Sequence, residues 1–599
     1  MGKSTAKTVV EQVFSVRTLD EMWTANYPPV LPFTPQNYAI DAILPTILYM
    51  FRWGHRRGKG SFQKTFLDKQ NSKKIVAIED VAKFLIQNDT RFMGFDSEIE
   101  EALLGDLLLT YCLENKNKAT GRREQVQRVF PTHYYASWID LPESLAHLCY
   151  IPEMIVSLLA NQKEGEKIER GKATSRFPVG IDNFESNLLL HILSPGTRIT
   201  GRSSELGSDC FDENQTDVGI DQLLTIRMAQ ACKKAPENFK GKGENPTIPN
   251  RRPLAGKATD CFTDDFNVFI QAYGRQIPRK TLLSMVESCF SLGTATILFS
   301  SIILLNKWEE SGEVTDLKEQ QPLPVYTDCS SGMDRDLQET AEQSMSEIVR
   351  QFDRMPVVMM MMRVLEQKAN YDTVVRKEKD KIPVAPNAQQ WINLLGEIYK
   401  GKHERAGKIL ETLDEDCLKL ADALEAEEEG QAVNEILRDT NGNPATRLAE
   451  ALCLLMGDIS QRRHFIKALD SCLMVNQTNG LGRKRKRQRY RKTVEMRSIV
   501  LSNMMLDYLV HRHLRKSGKG KKAKPLTFPD FISILRERYG LYVDQSPAGM
   551  DIPVELLLRN RRFLERRLRD MGLLVGVNDA ESMKRLKQRF EAEGDNNDE

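Results

Sequence analysis

Residues Cys329 to Arg335 have the types and the spacing that phosphoryl chemistry needs. The heptapeptide CSSGMDR fits the pattern CxxGxxR. In such a loop a cysteine thiolate can attack phosphorus while backbone N–H groups and the arginine hold the phosphate oxygens. The preceding LPVYT is typical of a strand, and the following DLQETAEQSMSEIVRQF predicts a helix. A Cys-dependent phosphohydrolase that uses Cys329 and Arg335 is therefore one alternative for this chain.

The residues that flank this loop argue against that chemistry. The loop resembles the phosphate cradle of protein tyrosine phosphatases, but Asp328 stands where those enzymes usually have a histidine. Asp336 replaces the Ser or Thr that usually follows the arginine. Together with Asp334, these carboxylates would surround a phosphate dianion and raise the pKa of the thiol. We therefore expect a structural glycine-containing loop, capped by Asp334 or Asp336 before the helix.

A second basic loop, GHRRGKGS at 54–61, suggests phosphate binding of another kind. It is one residue too short for the Walker pattern GxxxxGK[ST], and Gly60 stands where the magnesium-binding hydroxyl belongs. The sequence therefore argues against a Walker-type ATPase. Arg56, Arg57 and Lys59 are candidates for a second contact with nucleic-acid phosphate, but a solvated loop is the favoured interpretation.

Other sites of chemistry are not apparent in the sequence. The eight histidines are dispersed, and the ten cysteines are scattered without a CxxC or CxxxC pair. Neither GxSxG nor HExxH occurs. We therefore expect no bound metal, no cofactor and, more generally, a non-enzymatic protein.

The C-terminal part of the chain carries the strongest charge signal. Residues 481–590 contain 28 Lys and Arg against 11 Asp and Glu, a net charge of +17. Residues 1–480 carry −10 and residues 591–599 carry −5, so the overall charge of +2 is a cancellation. Such a one-sided field is the expected footprint of a polyanionic partner, because neutralising phosphates releases counterions.

This segment is expected to fold as a basic, winged-helix-like domain. A helix is predicted over about 493–516, a second begins near Phe528, and a third runs from Pro553 to Met571, before the β-prone LLVGV at 573–577. The third helix has an apolar stripe and, about 200° around its axis, a row of arginines. The stripe consists of Leu557, Leu564, Leu568 and Met571, and the row of Arg559, Arg562, Arg566 and Arg569.

The predicted nucleic-acid contacts are basic residues of three stretches of this segment. They are Arg483, Lys484, Arg485, Lys486, Arg487, Arg489, Arg491, Lys492, Lys519, Lys521, Lys522, Arg559, Arg562, Arg566 and Arg569. For the helix, the alternative is a solvated, salt-bridged face or a surface for an acidic protein. The run 483–492 could also be a nuclear-localisation-like signal or a lipid-binding patch.

Length and composition place these motifs in a large, mostly helical protein. The 599 residues are 41% hydrophobic and 28% charged, which is typical of globular domains. Apolar residues recur at three- and four-residue spacing, so we predict a mainly α, multidomain protein. The expected segments are a helical domain at 1–195, a loop-rich linker or insert at 196–262, a helical domain at 263–386, a bundle or solenoid-like segment at 387–480, the basic domain at 481–590 and an acidic tail at 591–599.

One stretch is apolar enough to be weighed as a membrane span. Residues 288–306 contain no charge over 19 positions, which is just enough to cross a bilayer core of about 30 Å. Six Ser and Thr residues dilute the stretch, so a helix buried in a soluble core is the favoured interpretation. The N-terminal residues lack the apolar region of a signal peptide, and with the scattered cysteines this leads us to expect a cytoplasmic protein.

Both ends of the chain resemble large components of bacterial multi-gene antiphage defence operons, of the methylation-associated defence system type. The resemblance lies in residues 16–60, in LRERYGLYVD at 535–544, and in LLLRNRRFLERRLRDMGLLVGVNDAESMKRL at 556–586. It implies a cytoplasmic partner of a methyltransferase, an ATPase or a nuclease that acts near phage DNA. It assigns no role to any single residue.

These observations lead to one favoured function and two alternatives. The favoured one is a non-enzymatic DNA-binding subunit of a multi-protein assembly, with duplex DNA and other protein subunits as partners and no membrane. The first alternative is an assembly scaffold whose basic end binds an acidic protein. The second is the phosphohydrolase described above.

Overall fold

The computed structural model describes most of the C-terminal half of the chain and parts of the N-terminal half. The described residues are 3–14, 26–54, 76–88, 92–115, 125–129, 132–139, 148–160, 168–169, 177–180, 186–193, 219–231, 247–248, 252–382, 388–425, 431–489, 492–516, 519–576 and 584–593.

Helices dominate these residues. In chain order they are α1 Lys3–Val13, α2 Ile43–Trp53, α3 Ile78–Lys83, α4 Glu98–Tyr111, α5 Ile151–Leu159, α6 Leu188–Leu193, α7 Ile220–Ala231, α8 Gly256–Tyr273, α9 Arg279–Ser311, α10 Arg335–Tyr371, α11 Thr373–Lys381, α12 Gln389–Tyr399, α13 Ala406–Leu424, α14 Gln431–Leu437, α15 Pro444–Met456, α16 Asp458–Cys472, α17 Asn503–His513, α18 Phe528–Tyr539 and α19 Val554–Asp570.

The strands are short except for one hairpin. They are β1 Val76–Ala77, β2 Leu113–Asn115, β3 Gln125–Val129, β4 Ile168–Glu169, β5 Thr247–Ile248, β6 Val325–Asp328, β7 Gly482–Arg489, β8 Lys492–Val500, β9 Arg515–Lys516, β10 Lys519–Ala523, β11 Leu541–Tyr542, β12 Leu574–Val575 and β13 Arg585–Leu586. The mainly α class predicted from the sequence is confirmed.

The chain divides into two compact units. Residues 39–251 form one, and residues 1–38 together with 252–599 form the other. The six segments predicted from the sequence stay a prediction. In the 39–251 unit, helix α2 is buried on every side, and its Arg52 guanidinium donates from Nη1 to Ser137 Oγ at 2.8 Å. That bond matters because a buried cation without a partner is costly.

Helix α9 is the central helix of the other unit. It is the one helix in the described part of the chain that is long and apolar enough to cross a membrane, and 94% of its most apolar window is buried within the protein. Its Ser and Thr hydroxyls are satisfied locally or by neighbours: Thr294 donates to Phe290 O at 2.7 Å and Ser291 to Cys472 O at 2.7 Å. The structure therefore favours the buried-helix interpretation of residues 288–306. The cytoplasmic location stays a prediction.

A four-stranded sheet joins the middle of the chain to its C-terminal part. The strand order is β11-β6-β8-β7; β6 runs parallel to both β11 and β8, and β7 pairs with β8 as an antiparallel hairpin. The helix predicted over 493–516 is therefore wrong in its first half, where β8 lies instead. β-branched Thr493, Val494, Ile499 and Val500 favour a strand there.

The predicted winged-helix arrangement of residues 481–590 is not confirmed. The predicted third helix is present as α19, and the β-prone LLVGV contains strand β12. However, β7 and β8 share their sheet with β6, about 160 residues upstream. The basic C-terminal segment therefore takes part in the same core as residues 325–371.

Close helix packing in this unit depends on glycine at a backbone contact. A Cβ placed on Gly396 of α12 would lie 1.6 Å from the carbonyl oxygen of Gly312, which ends α9 in a left-handed conformation with φ +80°. Real atoms do not approach this closely, so a side chain at Gly396 would force the two helices apart.

We expect Gly396→Ala to lower the free energy of unfolding by about 1–3 kcal/mol or more, because the clash is with backbone and cannot be relieved by a rotamer. The matched control is Gly407→Ala in α13, where nothing lies within 4 Å and the helix should gain up to about 1 kcal/mol. Urea unfolding followed by circular dichroism measures both. Equal stability of the two variants would contradict this packing.

Candidate nucleic-acid interface

The site is built on the carboxyl edge of the three parallel strands. Strands β6, β8 and β11 point the same way, so the loops that follow Asp328, Val500 and Tyr542 emerge at one edge. In open α/β sheets this edge is where ligand-binding loops usually lie. Here helix α19 crosses it and occupies it with its own side chains.

Asn560 of α19 joins two of these loops. Its amide Nδ2 donates to Thr327 O and to Val543 O, each at 2.9 Å, and its Oδ1 accepts from the backbone N–H of Cys329 at 2.9 Å. The side chain is fully buried. One amide therefore satisfies three backbone groups that would otherwise be unpaired inside the protein.

Arg567, two turns further along α19, joins the loop after β6 to the loop after β8. Its guanidinium donates to Cys329 O at 3.1 Å, to Leu501 O at 2.7 Å and to Asn503 Oδ1 at 2.7 Å. Burial lowers the pKa of Arg567, and the nearby Asp328 opposes that shift. The guanidinium thus occupies acceptors of two loops at this edge with bonds inside the protein.

The loop after β6 is closed by its own aspartate. The Asp328 carboxylate accepts from Ser330 N at 2.7 Å, from Ser330 Oγ at 2.6 Å and from Gly332 N at 2.9 Å. Burial raises the pKa of Asp328, while these hydrogen bonds lower it. Asp334 then caps α10 by accepting from the backbone N–H groups of Asp336 and Leu337. The capped, glycine-containing loop expected from the sequence is what the structure contains.

This arrangement does not suit Cys329 and Arg335 to phosphoryl transfer. The Cys329 thiol is fully buried, and burial raises its pKa, which disfavours the thiolate that phosphoryl transfer needs. The Arg335 side chain is 79% exposed and pairs with Glu339 on its own helix. The loop N–H groups of Ser330 and Gly332, which would hold phosphate, already bind Asp328.

Most of the described basic side chains of strand β7 bind acidic partners within the protein. Arg485 pairs bidentately with the buried Glu342 of α10, which raises the pKa of Arg485. Arg487 lies 3.5 Å from Glu339, and Arg483 donates to the carbonyl oxygen of Ser331.

The two even-numbered lysines of the strand differ from each other. Lys484 pairs with Asp470 at 3.1 Å and with Glu495 at 3.0 Å. Lys486 is exposed, and no ion pair joins it to the described residues. Strand alternation places Arg483, Arg485 and Arg487 on the face toward the start of α10, and the two lysines on the opposite face.

The arginine row of α19 is likewise divided. Arg559 pairs with Asp334 at 3.3 Å and Asp336 at 3.0 Å, and Arg569 pairs with Glu565 at 2.9 Å. Arg562 is exposed and has no partner among the described residues. Arg566 is 79% exposed, and its ion pair with Asp570 is long, at 3.8 Å, and exposed on both sides. Two outward guanidiniums one helical turn apart are thus left for an external anion.

Several predicted contacts lie outside what the structure describes. The loop with Arg56, Arg57 and Lys59 falls within residues 55–75, and Arg491 falls within residues 490–491; the structure describes neither range. The side chains of Arg489, Lys492, Lys519, Lys521 and Lys522 also lie outside the described residues. Within the described ranges, no group of three His, Cys, Asp or Glu side chains is placed to hold a metal ion.

Sequence reasoning missed Asn560 and Arg567. Both lie on the buried side of α19, in phase with the predicted apolar residues Leu557, Leu564 and Leu568. A polar residue in the apolar phase of an amphipathic helix is the signal that could have found them, because it must find partners when it is buried.

We expect Asn560→Ala to reduce the free energy of unfolding by about 3 kcal/mol, because it leaves three buried backbone groups without a partner. Arg562→Ala on the exposed side of the same helix should change it by no more than about 0.5 kcal/mol. Urea titrations of the two variants provide the comparison. An Asn560→Ala protein as stable as the Arg562→Ala protein would contradict these three hydrogen bonds of Asn560.

Cys329 should resist alkylation in the folded protein. We expect iodoacetamide at pH 8 to leave it unmodified for hours, because the thiol is buried and its pKa is raised, and to modify it within minutes in urea. Mass spectrometry of peptides from the digested full chain measures the extent of alkylation at Cys329. Rapid alkylation without denaturant would restore the phosphohydrolase alternative.

Comparison with known proteins identifies one family. The family model described as methylation-associated defense system protein MAD7 matches residues 21–590. No curated protein and no solved structure matches the chain.

Proposed function

The chain belongs to the family of methylation-associated defense system protein MAD7, and from this premise we propose that it is a non-enzymatic, DNA-binding subunit of that system. Membership in a defence-system family confirms the resemblance noted at both ends of the sequence. It also supports an antiphage role within a multi-protein system. The proposal adds duplex DNA as the ligand and the outward side of α19 as the contact.

The observation that carries this proposal is the pair of exposed arginines Arg562 and Arg566. A guanidinium already held by a buried carboxylate, as Arg485 is by Glu342, gains little from a phosphate. An exposed guanidinium without a strong partner can instead displace the counterions condensed on DNA, which is the main source of affinity for a phosphate backbone. The two residues lie about 6 Å apart along the helix.

Neighbouring basic residues support the same surface. Arg562 and Arg566 lie in a segment with a net charge of +17, so the long-range field attracts a polyanion before contact. Lys486 is also exposed. Arg489, Arg491 and Lys492, with the lysines of β10, stay proposed contacts. Arg485 and Arg487 are better explained as ties between β7 and α10.

A second function has an observation of its own. Val554 and Leu558 are 69% and 48% exposed and continue the line of Arg562 and Arg566 toward the start of α19. An apolar and basic stripe of this kind also fits an acidic protein surface, as an assembly scaffold would need. Val554→Ser together with Leu558→Ser should weaken such a protein complex and leave DNA affinity unchanged.

The DNA proposal is tested by reversing the two outward charges. We expect Arg562→Glu with Arg566→Glu to lower the affinity for duplex DNA at least tenfold at low salt. The slope of log affinity against log salt concentration should fall by about 2, because two phosphate contacts are lost. Fluorescence anisotropy at four salt concentrations measures both quantities.

A matched control reverses two exposed charges elsewhere in the chain. Arg376 and Lys377 of α11 are exposed, and no ion pair within the described residues involves either side chain. Arg376→Glu with Lys377→Glu should leave the salt slope unchanged. The same loss of affinity in both double variants would show only a net-charge effect, and no loss in either would sink the proposal.

A further inference from the structure

Strand β8 has an open edge for most of its length. It pairs with β7 from Lys492 to Ile499, but with β6 only at Ile499 and Val500. The N–H group of Val500 donates to Leu481 O, so Val500 and every second residue before it direct their backbone groups toward β7. Since this direction alternates along a strand, the N–H and C=O groups of Thr493, Glu495 and Arg497 face the opposite side.

No strand occupies that side within the described residues. The backbone N–H of Tyr326, which faces β8, donates to Ser344 Oγ at 3.0 Å. The ladder between β6 and β8 therefore consists of two residue pairs and does not extend from Ile499 toward Thr493. The edge from Thr493 to Arg497 is about 17 Å long, enough for a five-residue strand.

A groove of about 780 Å³ lies along this part of the strand. Its apolar lining comes from α10, α16 and β8, and consists of Met345, Val349, Ile466, Val494 and Met496. Two methionines among these residues suit a surface that adapts to different apolar side chains.

Arginines lie at the rim of the groove. Arg463 of α16 is exposed and has no partner among the described residues. Arg350 and Arg462 pair with Glu347 and Asp353 at exposed positions. Exposed pairs of this kind contribute little and exchange readily for an incoming carboxylate.

We propose that this groove binds an extended, acidic segment of a partner protein, which adds as a strand to the open edge of β8. Apolar side chains of the segment enter the groove, and its Asp or Glu side chains meet Arg350, Arg462 and Arg463. Strand addition supplies main-chain hydrogen bonds for affinity, and the groove selects the alternate side chains. This goes beyond DNA binding, because the surface and the ligand are different.

Two other occupants fit less well. Nucleic acid cannot form a strand ladder with the Glu495 and Arg497 backbone, and it gains little from an apolar floor. The acidic residues 591–599 of this chain contain Ala592 as their one apolar residue, so they cannot fill the groove. A partner segment that alternates apolar and acidic residues matches both the floor and the rim.

The experiment uses the full chain and three synthetic seven-residue peptides. One alternates Glu and Val, the second alternates Lys and Val, and the third is the acidic peptide with alternate backbone nitrogens methylated so that it cannot form a ladder. We expect the acidic peptide to bind at least tenfold more tightly than the other two, as measured by calorimetry. Equal affinities, or no binding of the acidic peptide at millimolar concentration, would overturn the proposal.

Variants of the groove then locate the binding. Val494→Lys and Arg463→Glu should each weaken the acidic peptide at least fivefold. Glu495→Pro removes an outward N–H without touching the β7 ladder, whereas Glu495→Gln keeps it; the first should lose at least fivefold more affinity than the second. Circular dichroism and the midpoint of thermal unfolding confirm folding of each variant.

A different result would assign the groove to nucleic acid. If Arg463→Glu weakened duplex DNA binding while the acidic peptide was unaffected, the proposal would be wrong. Because Arg562 and Arg566 lie outside the groove, their double variant should bind the acidic peptide normally. The peptide-binding proposal can therefore be refuted while DNA binding by α19 is confirmed, and DNA binding can be refuted while peptide binding is confirmed.

Discussion

Two side chains of one helix hold together the carboxyl ends of three parallel strands. Asn560 and Arg567 of α19 bind the backbone at Thr327, Cys329, Val543 and Leu501. Those backbone groups are buried, so each lost partner would cost about 1–3 kcal/mol. This clamp, formed by Asn560 and Arg567, connects the loop after β6, the start of α17 and the loop after β11. These three segments come from distant parts of the chain.

The orientation of α19 follows from this clamp. Because Asn560 and Arg567 must face the sheet, a helix of 3.6 residues per turn places Arg562 and Arg566 on the far side. The same two side chains bind the backbone N–H and C=O of Cys329. One constraint therefore both removes a candidate catalytic residue from solvent and presents the two arginines from which we infer DNA binding.

The basic excess of residues 481–590 serves two physical purposes. Arg483, Arg485 and Arg487 of β7 attach the hairpin to the start of α10, partly through the buried Glu342. These cations are components of the fold, and their charge is largely balanced within it. The exposed cations on α19 are the ones that an external partner can reach. A charge count cannot separate these two groups, since both contribute equally to +17.

The local patterns predicted helices better than they predicted the sheet. The stripe of Leu557, Leu564 and Leu568 predicted α19 correctly, because amphipathic period and capping are encoded within a few residues. The stretch 493–516 was predicted as one helix, yet its first part is β8. Its pairing with β6 and β7 is what stabilises that strand, and no local period reveals such a contact.

The sequence by itself determined the helical class, the division of charge along the chain and the family that the chain resembles. These properties depend on composition, on spacing over one or two turns, and on the similarity of continuous segments. Only the tertiary structure decided which arginines are bound within the protein, that Cys329 is buried, and that β8 keeps an open edge. The decisive contacts, such as Arg485 with Glu342 and Asn560 with Cys329, join residues more than 100 positions apart and form only once the chain has folded.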